Sequence, residues 1–463
     1  MSKRITRDVT LLLLAILPLI SFRPSVSDGI VTAADPDQLK TIAPSSPCKV
    51  AIYDADPDHL WNRLYAALYV RIADEGQAYG LDDLDPLLWE NSRHLLTEPR
   101  YRQVLDLLNE FLDERGEKLI TLPLKRALFQ HDLWAVFDWL ADPEAEHVWK
   151  QRRAERRALR NQLASIIHRL ALSAEDIEKL PDNFSVALAG KTYPPKQDPS
   201  HAAKAFLPGD LFEANGPWVH LQTGGGKPYP FGKPTALTHV HFVGGRSAFF
   251  VFANLPEGRR ATLEYLQKLN TLPYPAGPSP NRTTALTSNP NLPPSGTKLA
   301  LVRQMLLIDD SGIMRPTRLI ESVQMRVVHG IAEKDNDFFE FSLHRKELFD
   351  GHSGLRAGKS DQVTIPIFNH THDEDLFSIP GRVRTLRETV AKRSRNEPVS
   401  ENLRLDCVAC HKRPDIVTAS AFFHDRSPEL TASERGNEVE RIIRWKGEKY
   451  NWGLLQGLIE ERK

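Results

Sequence analysis

The stretch LALVRQMLLIDDSGIMRPTRLIESVQMRVVHG, residues 299–330, holds two apolar runs separated by Asp310, Ser311 and Gly312. Val, Ile and Leu dominate both runs, and the residues between them are typical of turns. Two such runs joined by a short polar break are the pattern of an antiparallel hairpin. We therefore predict a β-hairpin whose turn lies at 310–312.

Further strand patterns surround this hairpin. WVHLQ (218–222) and ALTHVHFVGGRSAFFVFANL (236–255) alternate with period two around a turn at Gly244 and Gly245. DFFEFSLHRK (337–346) and QVTIPIFNHTH (362–372) predict two more strands, and PEGRRATLEYLQKLN (256–270) predicts a helix. We expect a mainly antiparallel β region with a few helices between residues 200 and 395.

Residues 54–190 have helical periodicity instead. Asp56 is a candidate N-cap, and Leu60, Leu64, Leu68 and Ile72 recur every four residues as one apolar stripe. Apolar faces at helical spacing also occur in three later stretches, 97–116, 122–142 and 147–172. The pattern predicts an N-terminal helical domain over residues 54–190.

The C-terminal segment, residues 400–463, ends in the polar helix pattern SERGNEVERIIRWKGEKYNWGLLQGLIEER (433–462). Its apolar side contains Ile442, Ile443, Leu454, Leu455 and Leu458. The fold class predicted for the whole chain is therefore α+β. An N-terminal helical domain precedes the β region, and a short helical segment ends the chain.

The N-terminus has the pattern of a secretory signal. Lys3, Arg4 and Arg7 precede an apolar run over residues 9–22, and Ser25 and Ser27 place small residues before a cleavage point at Asp28. We predict a signal peptide over residues 1–27 and an exported, periplasmic location. An uncleaved N-terminal membrane anchor is the alternative, and no later segment is apolar and long enough to span a membrane.

The charge balance argues against a nucleic-acid partner, and the cysteine content argues against a fold built on disulfides. The chain carries 60 Lys and Arg against 60 Asp and Glu, and removing residues 1–27 takes away four basic groups and one acid, leaving about −3. That balance gives no reason to expect nucleic acid as a partner. Three cysteines cannot build a disulfide framework, although export usually favours one. Cys48 is expected to be a small buried residue.

Two of the three cysteines stand together in LRLDCVACHKRPD, residues 403–415. Cys407 and Cys410 are separated by two residues, and His411 follows directly. With this composition, a C-x-x-C-H triplet should arise by chance on the order of 0.001 times in the chain. Three chemistries use such a triplet: haem attachment, a redox dithiol and a zinc corner.

The triplet resembles the haem-attachment site of c-type cytochromes in every required position. The resemblance covers five residues and no family is recognised for the rest of the chain. It implies one covalent haem c, thioether bonds from Cys407 and Cys410, and His411 as an iron ligand. Covalent haem attachment in bacteria takes place outside the cytoplasmic membrane, which agrees with the predicted export.

The rival chemistries have less support. A thioredoxin-like C-x-x-C follows a strand and opens a helix, whereas this one follows the charged stretch AKRSRNEPVSENLRLD (391–406). Structural zinc needs four ligands, and no second C-x-x-C or H-x-x-x-H accompanies the first pair.

The second axial ligand of such a haem is left open by the sequence. No methionine follows His411, and Met305, Met314 and Met325 lie in the predicted sheet as expected core residues. Histidine candidates are the pairs His239/His241 and His370/His372, together with His424. Residues two apart in a strand share a face, so the pairs could instead form a separate zinc or copper site, or simply line a strand surface.

Three functions are consistent with these residues. The first is an exported monohaem electron carrier that serves a redox partner protein. The second is a haem-dependent enzyme or a gas or redox sensor with an open iron site. The third is a partner-binding module in which the haem is an accessory. The chain has about 400 residues more than a small electron carrier needs, so the second and third functions stay open. Whether the protein is an enzyme is undecided.

Overall fold

The computed structural model describes residues 49–72, 78–79, 81–82, 93–96, 98–141, 150–197, 204–221, 246–271, 293–329, 336–358, 432 and 435–461. The chain divides into two units, Met1–Ser45 and Ser46–Lys463, and the described residues all belong to the second. The predicted signal peptide lies outside the described residues. The predicted domain boundaries stay predictions.

The described residues form a mixed α+β fold, with helices first, a sheet in the middle and helices at the end. The α-helices are α1 Leu60–Tyr69, α2 Arg100–Asp113, α3 Pro123–Ala141, α4 Arg153–Arg169, α5 Ala174–Glu178, α6 Asn183–Ala189, α7 Arg259–Thr271, α8 Arg345–Phe349, α9 Arg435–Gly447 and α10 Tyr450–Glu460. Short 3-10 turns occur at Arg93–Leu96, Gly116–Lys118 and Lys150–Arg152. The predicted order of helices, sheet and helices is confirmed.

The strands make two sheets. They are β1 Arg71–Ile72, β2 Ala78–Tyr79, β3 Val219–Leu221, β4 Ser247–Asn254, β5 Lys298–Ile308, β6 Met314–Val327, β7 Asp337–Leu343 and β8 Leu355–Ala357. Strands β1 and β2 form a small hairpin, and β3 to β8 form one antiparallel sheet in sequence order. Each strand of this sheet therefore pairs with the strands that precede and follow it in the sequence.

The hairpin predicted at 299–330 is confirmed as the centre of this sheet. Strands β5 and β6 pair antiparallel up to the turn, where Ile308 lies opposite Met314. The Asp309 carboxylate closes the turn, because its Oδ1 accepts the N–H groups of Ser311 at 3.0 Å and Ile313 at 2.8 Å. Gly312 has a φ of +82°, a conformation that glycine adopts without steric cost.

The other predicted β elements have mixed outcomes. Strand β7 and helix α7 occur where the sequence predicts them. Strand β4 pairs with β3 on one side and β5 on the other, while the predicted turn at Gly244 and Gly245 lies outside the described residues. The strand predicted at 362–372 also lies outside them.

Helix α1 differs from its prediction at both ends. Its N-cap is His59, whose Nδ1 accepts the N–H of Trp61 at 3.2 Å, whereas Asp56 accepts the N–H of Asp58 in the preceding turn. The helix ends at Tyr69, so Ile72 leaves the predicted stripe and joins β1. Val70 to Ile72 includes two β-branched residues, which favour extended backbone.

Helix α3 is the central helix of the body. Every residue from Ala127 to Ala141 is buried, including the polar side chains Gln130, His131, Asp132 and Asp138. A helix buried on all sides must satisfy its polar groups within the protein. The helices and the inner face of the sheet share one hydrophobic core around it, and a smaller cluster lies between α7 and the outer face.

Amide side chains join the helices to the sheet backbone. Gln130 Nε2 donates to Ile308 O at 2.9 Å and Gln130 Oε1 accepts Ile308 N–H at 3.0 Å. Asn183 of α6 makes the same two-way contact with Ile320, at 2.9 and 2.8 Å. Each side-chain amide therefore forms hydrogen bonds with a buried backbone N–H and a buried backbone C=O of the hairpin.

The prediction of a single C-terminal helix over 433–462 is wrong in the number of helices, because the structure has two. Gly447 ends α9, Lys449 is extended with φ −76° and ψ 144°, and α10 begins at Tyr450. Ile442, Leu455 and Ile459 from the two helices join the main core. The break lets both short helices turn an apolar side toward the body.

Among the described residues, no helix combines the length and the apolar character that a membrane span requires.

Candidate functional site

The haem-attachment residues and their sequence-derived partners lie outside the described part of the chain. This applies to the motif residues, the five histidine candidates and the third cysteine, that is, to Cys407, Cys410, His411, His239, His241, His370, His372, His424 and Cys48. Their roles stay predictions. The described structure bears on the site through the residues that flank it.

The C-terminal segment meets β3, which is the first strand in the order of the described sheet. Ala432, 21 positions after His411 in the sequence, forms an antiparallel bridge with Leu221 of β3. Helix α9 begins at Arg435 and packs against β4 and β6. Strand β3 therefore receives the polypeptide on the C-terminal side of the motif.

Arg435 fastens the start of α9 to the body. Its guanidinium lies 4.0 Å from the centroid of Phe212 and 5.4 Å from that of Phe250, and Nη2 donates to Gln304 Oε1 at 2.8 Å. Burial lowers the pKa of Arg435, and Asp182 partly offsets this. A stacked, hydrogen-bonded arginine at this position holds the first turn of α9 in place.

His220 of β3 lies beside this junction. Its ring is 5.5 Å from that of Phe250 and 4.9 Å from that of Phe252, on the inner face of the sheet. The flanking residues Val219 and Leu221 turn to the outer face. His220 is thus a buried imidazole one residue from the bridge to the C-terminal segment.

Sequence reasoning did not select His220. His220 is a single histidine in a short strand pattern, whereas four of the five sequence-derived candidates stand in H-x-H pairs. The strand pattern WVHLQ could have indicated that His220 is buried, because Trp218 and His220 share a face in an alternating strand.

The methionines have the role predicted for them. Met305, Met314 and Met325 are buried in β5 and β6, with exposures of 2%, 4% and 0%, and all pack in the main core. No group of three His, Cys, Asp or Glu side chains in the described part of the chain is arranged to hold a metal ion.

One buried ionic cluster joins α3 to α8, and we call it the Asp132 cluster. Arg345 Nη2 and Nε approach the two oxygens of Asp132 at 2.6 and 2.9 Å. Tyr53 donates its hydroxyl to Asp132 Oδ2 at 2.5 Å, and Tyr69 donates to the backbone oxygen of Asp132. Asp82 accepts the N–H of Arg345 at 2.9 Å.

Protonation in the Asp132 cluster follows this pairing. Burial alone would lower the pKa of Arg345, but the charge of Asp132 and the hydrogen bonds to it raise that pKa well above its ordinary value. Burial and the same negative charge raise the pKa of Tyr53. Arg345 is therefore cationic and Tyr53 is a neutral donor.

A second ionic cluster lies where α3 meets the sheet, and we call it the Glu321 cluster. Glu321 Oε1 accepts from Ser247 Oγ at 2.8 Å and lies 3.3 Å from His131 Nε2, while Oε2 lies 3.1 Å from Arg303 Nε. Burial opposes ionisation of Glu321, but His131, Arg303 and the hydrogen bonds outweigh it and lower its pKa to about 2. Glu321 is an anion at neutral pH.

The Asp132 cluster ties α3 to α8, and the Glu321 cluster ties α3 to the sheet, by interactions among buried groups. Asp132 and Glu321 are 1% and 5% exposed, so a substrate from solution does not reach them without structural change. Their chemistry is that of internal ion pairs, which hold α3, α8 and the sheet in one arrangement. They support the body that receives the C-terminal segment.

No protein-family model, no curated protein and no solved structure matches this chain.

Proposed function

We propose that this protein is an exported monohaem c-type cytochrome that binds haem covalently through Cys407 and Cys410 and transfers single electrons to a redox partner protein. The observation that carries the proposal is the complete C-x-x-C-H triplet at 407–411. The donor set fits the group, because two thiols two residues apart and an adjacent imidazole are what c-type attachment uses.

The residues of the chain have separate tasks in this proposal. Cys407 and Cys410 supply the thiols that form thioether bonds, which keep the cofactor attached independently of the fold. His411 supplies an imidazole nitrogen as one axial ligand. When bound, the haem supplies a one-electron couple whose potential depends on the axial ligands, burial and nearby charge.

The second axial position is proposed to hold a histidine or to stay open. Methionine ligation has little support, because no methionine follows the motif and Met305, Met314 and Met325 are packed in the core. His220 joins the earlier histidine candidates, since it lies next to the bridge that anchors the C-terminal segment. An open position would favour the enzyme or sensor alternative.

The decisive experiment measures covalent haem. The chain should be produced in a host that assembles c-type cytochromes, then denatured and extracted with acidified acetone. We expect haem to stay with the polypeptide in the wild type and to be lost when Cys407 and Cys410 are both changed to Ser. Cys48→Ser is the matched control and should keep its haem, and extractable haem in the wild type would refute the proposal.

The same preparations distinguish the carrier from the enzyme or sensor. We expect a low-spin spectrum without a methionine charge-transfer band and without a response to carbon monoxide. Alanine substitutions of the histidine candidates, one at a time, should convert one variant to high spin: His220, His239, His241, His370, His372 or His424. A high-spin wild type that binds carbon monoxide would favour the second function.

A further inference from the structure

The C-terminal helices include a lysine whose side chain is enclosed by the protein. Lys446, in the last turn of α9, is 1% exposed, and its Nζ lies 5.7 Å from the centroid of the Trp445 ring. An ammonium group loses strong hydration when it is buried, so burial penalises the charged form of lysine. The docking of α9 therefore involves the protonation state of this side chain.

Charged groups from several elements face Lys446. Asp138 of α3 and Glu321 of β6 attract an ammonium at this position, while Arg246, next to β4, and Lys449, between α9 and α10, repel it. Asn451 of α10 also reaches this region, donating to the backbone oxygen of Asp138 at 3.2 Å. The surroundings of Lys446 thus include charges of both signs.

The two attracting carboxylates also lie close to other polar side chains. Asp138 Oδ2 lies 3.9 Å from Arg246 Nη1, and Glu321 is in contact with Arg303 at 3.1 Å and with His131 at 3.3 Å. On α9 itself, Glu438 pairs with Arg441. A carboxylate shared with guanidinium groups offsets less of the desolvation of a further ammonium.

We propose that the docking of α9 and α10 on the body is pH-responsive, with loss of the Lys446 proton tightening it and gain of the proton loosening it. This pH response involves the described body and the C-terminal helices, and it does not require haem.

The direction of the effect follows from proton linkage. Burial, with Arg246 and Lys449, lowers the pKa of Lys446 from 10.5 to about 7, against the opposing charges of Asp138 and Glu321. In an undocked state the amine regains its ordinary pKa. Between about pH 7 and about pH 10.5 the undocked state binds more protons, so its population falls up to about tenfold for each pH unit gained. Below the lower pKa both states are protonated and the dependence ends.

Hydrogen exchange on the full-length protein tests this directly. Opening equilibria of α9 and α10 amides should be measured between about pH 7 and about pH 10, after correction for intrinsic exchange. We expect them to fall with pH by up to about tenfold per unit relative to α2, which packs on α1 and α4. Equal pH dependence in α2 and α9 would overturn the proposal.

Two variants separate Lys446 from other lysines. Lys446→Met keeps most of the side-chain volume without the amine and should remove the extra pH dependence. Lys179→Met is the control, because the Lys179 side chain is 64% exposed beside Glu175, and this variant should behave as wild type. Persistence of the pH dependence in Lys446→Met would contradict the proposal.

If Lys446→Met does not fold, the titration of the wild type decides. Carbon-13 labelling of lysine should reveal one side-chain resonance that titrates near the lowered pKa, while the exposed lysines titrate near 10.5. Ordinary titration of every lysine would overturn the proposal. These readouts do not involve haem, so they stay separate from the test of covalent attachment.

Discussion

Asp132 and Asp138 stand six residues apart on helix α3, and both are buried, yet their cationic partners differ. Asp132 makes a two-point contact with Arg345 at 2.6 and 2.9 Å. Asp138 lies 3.9 Å from Arg246 and also influences Lys446. Asp132 has a bidentate arginine, whereas the charge of Asp138 acts on both Arg246 and Lys446.

The difference teaches that contact geometry, more than depth, decides whether a buried cation keeps its charge. Arg345 and Lys446 are 4% and 1% exposed, but the pKa of Arg345 is raised and the pKa of Lys446 is lowered to about 7. A planar guanidinium bonds both carboxylate oxygens at once, whereas an ammonium is a compact and strongly hydrated charge. Desolvation is compensated at the first site and prevails at the second.

The largest effect is expected from breaking the closer pair. Asp132→Asn removes the closer counter-charge of buried Arg345, leaving only the more distant Asp82 carboxylate at 3.7 Å, and weakens the bond from Tyr53. We expect the free energy of unfolding to fall by about 3–5 kcal/mol in urea titrations. In this variant α3 and α8 should also no longer unfold in a single transition.

A double replacement tests whether the uncompensated charge causes that loss. Asp132→Leu combined with Arg345→Met removes both charges and should recover much of the stability, because apolar side chains can replace a buried pair at little cost. The exposed control Glu175→Gln should change stability by less than about 0.5 kcal/mol. A double variant as unstable as Asp132→Asn would show that packing, and not charge, dominates.

An intermediate effect is expected from Glu321 at acid pH. Its folded-state pKa of about 2 lies below the ordinary 4.5, so its contribution is complete above about pH 4.5 and is lost as the pH falls toward 2. The difference corresponds to about 3 kcal/mol. The free energy of unfolding, measured on both sides of this window, should fall less in Glu321→Gln than in the wild type.

An exposed glutamate provides the comparison for this acid effect. Glu264 on α7 is 68% exposed and 3.7 Å from Arg260, so Glu264→Gln should retain the acid dependence of the wild type. If Glu321→Gln has the same acid dependence as the wild type, the ion pairs of Glu321 do not contribute as inferred.

The smallest of the three effects is expected from Gln130, an uncharged side chain on α3, the helix that also carries Asp132. Gln130→Met keeps the volume but leaves Ile308 without its side-chain partner for both N–H and C=O. We expect a loss of about 1–3 kcal/mol, since unpaired buried amide groups are penalised. Thermal unfolding of Gln130→Met should also lie between that of wild type and Asp132→Asn, and a larger loss than Asp132→Asn would reverse the ranking.

Local sequence patterns predicted those elements whose signals are complete within a short window. The β5–β6 hairpin combines apolar strands with Asp309 and Gly312 at the turn, and α2 and α4 have clear apolar faces. The misjudged details lie at element ends. His59 replaced Asp56 as the cap of α1, and an extended Lys449 divided the C-terminal helix, because end positions depend on packing with distant residues.

The functional residues divide in the same way. The C-x-x-C-H triplet is recognisable because covalent attachment requires three residues adjacent in sequence. His220 and Lys446 were not selected, since their importance depends on contacts with β4, α3 and β6. Phe250 is 30 positions from His220, and Asp138 and Glu321 are more than 100 positions from Lys446, so sequence periodicity does not reveal these environments.

The sequence by itself determined the α+β class, the central hairpin and the haem-attachment hypothesis, because each rests on residue types at short spacing. The tertiary structure alone decided that α3 is enclosed on all sides, with Asp132, Asp138 and His131 inside. It also brought Arg345, 213 residues after Asp132, into a bidentate pair and sealed Lys446 against the body. Long-range pairing decides which buried charges are compensated, since Coulomb attraction and desolvation depend on distances in space and not on separation along the chain.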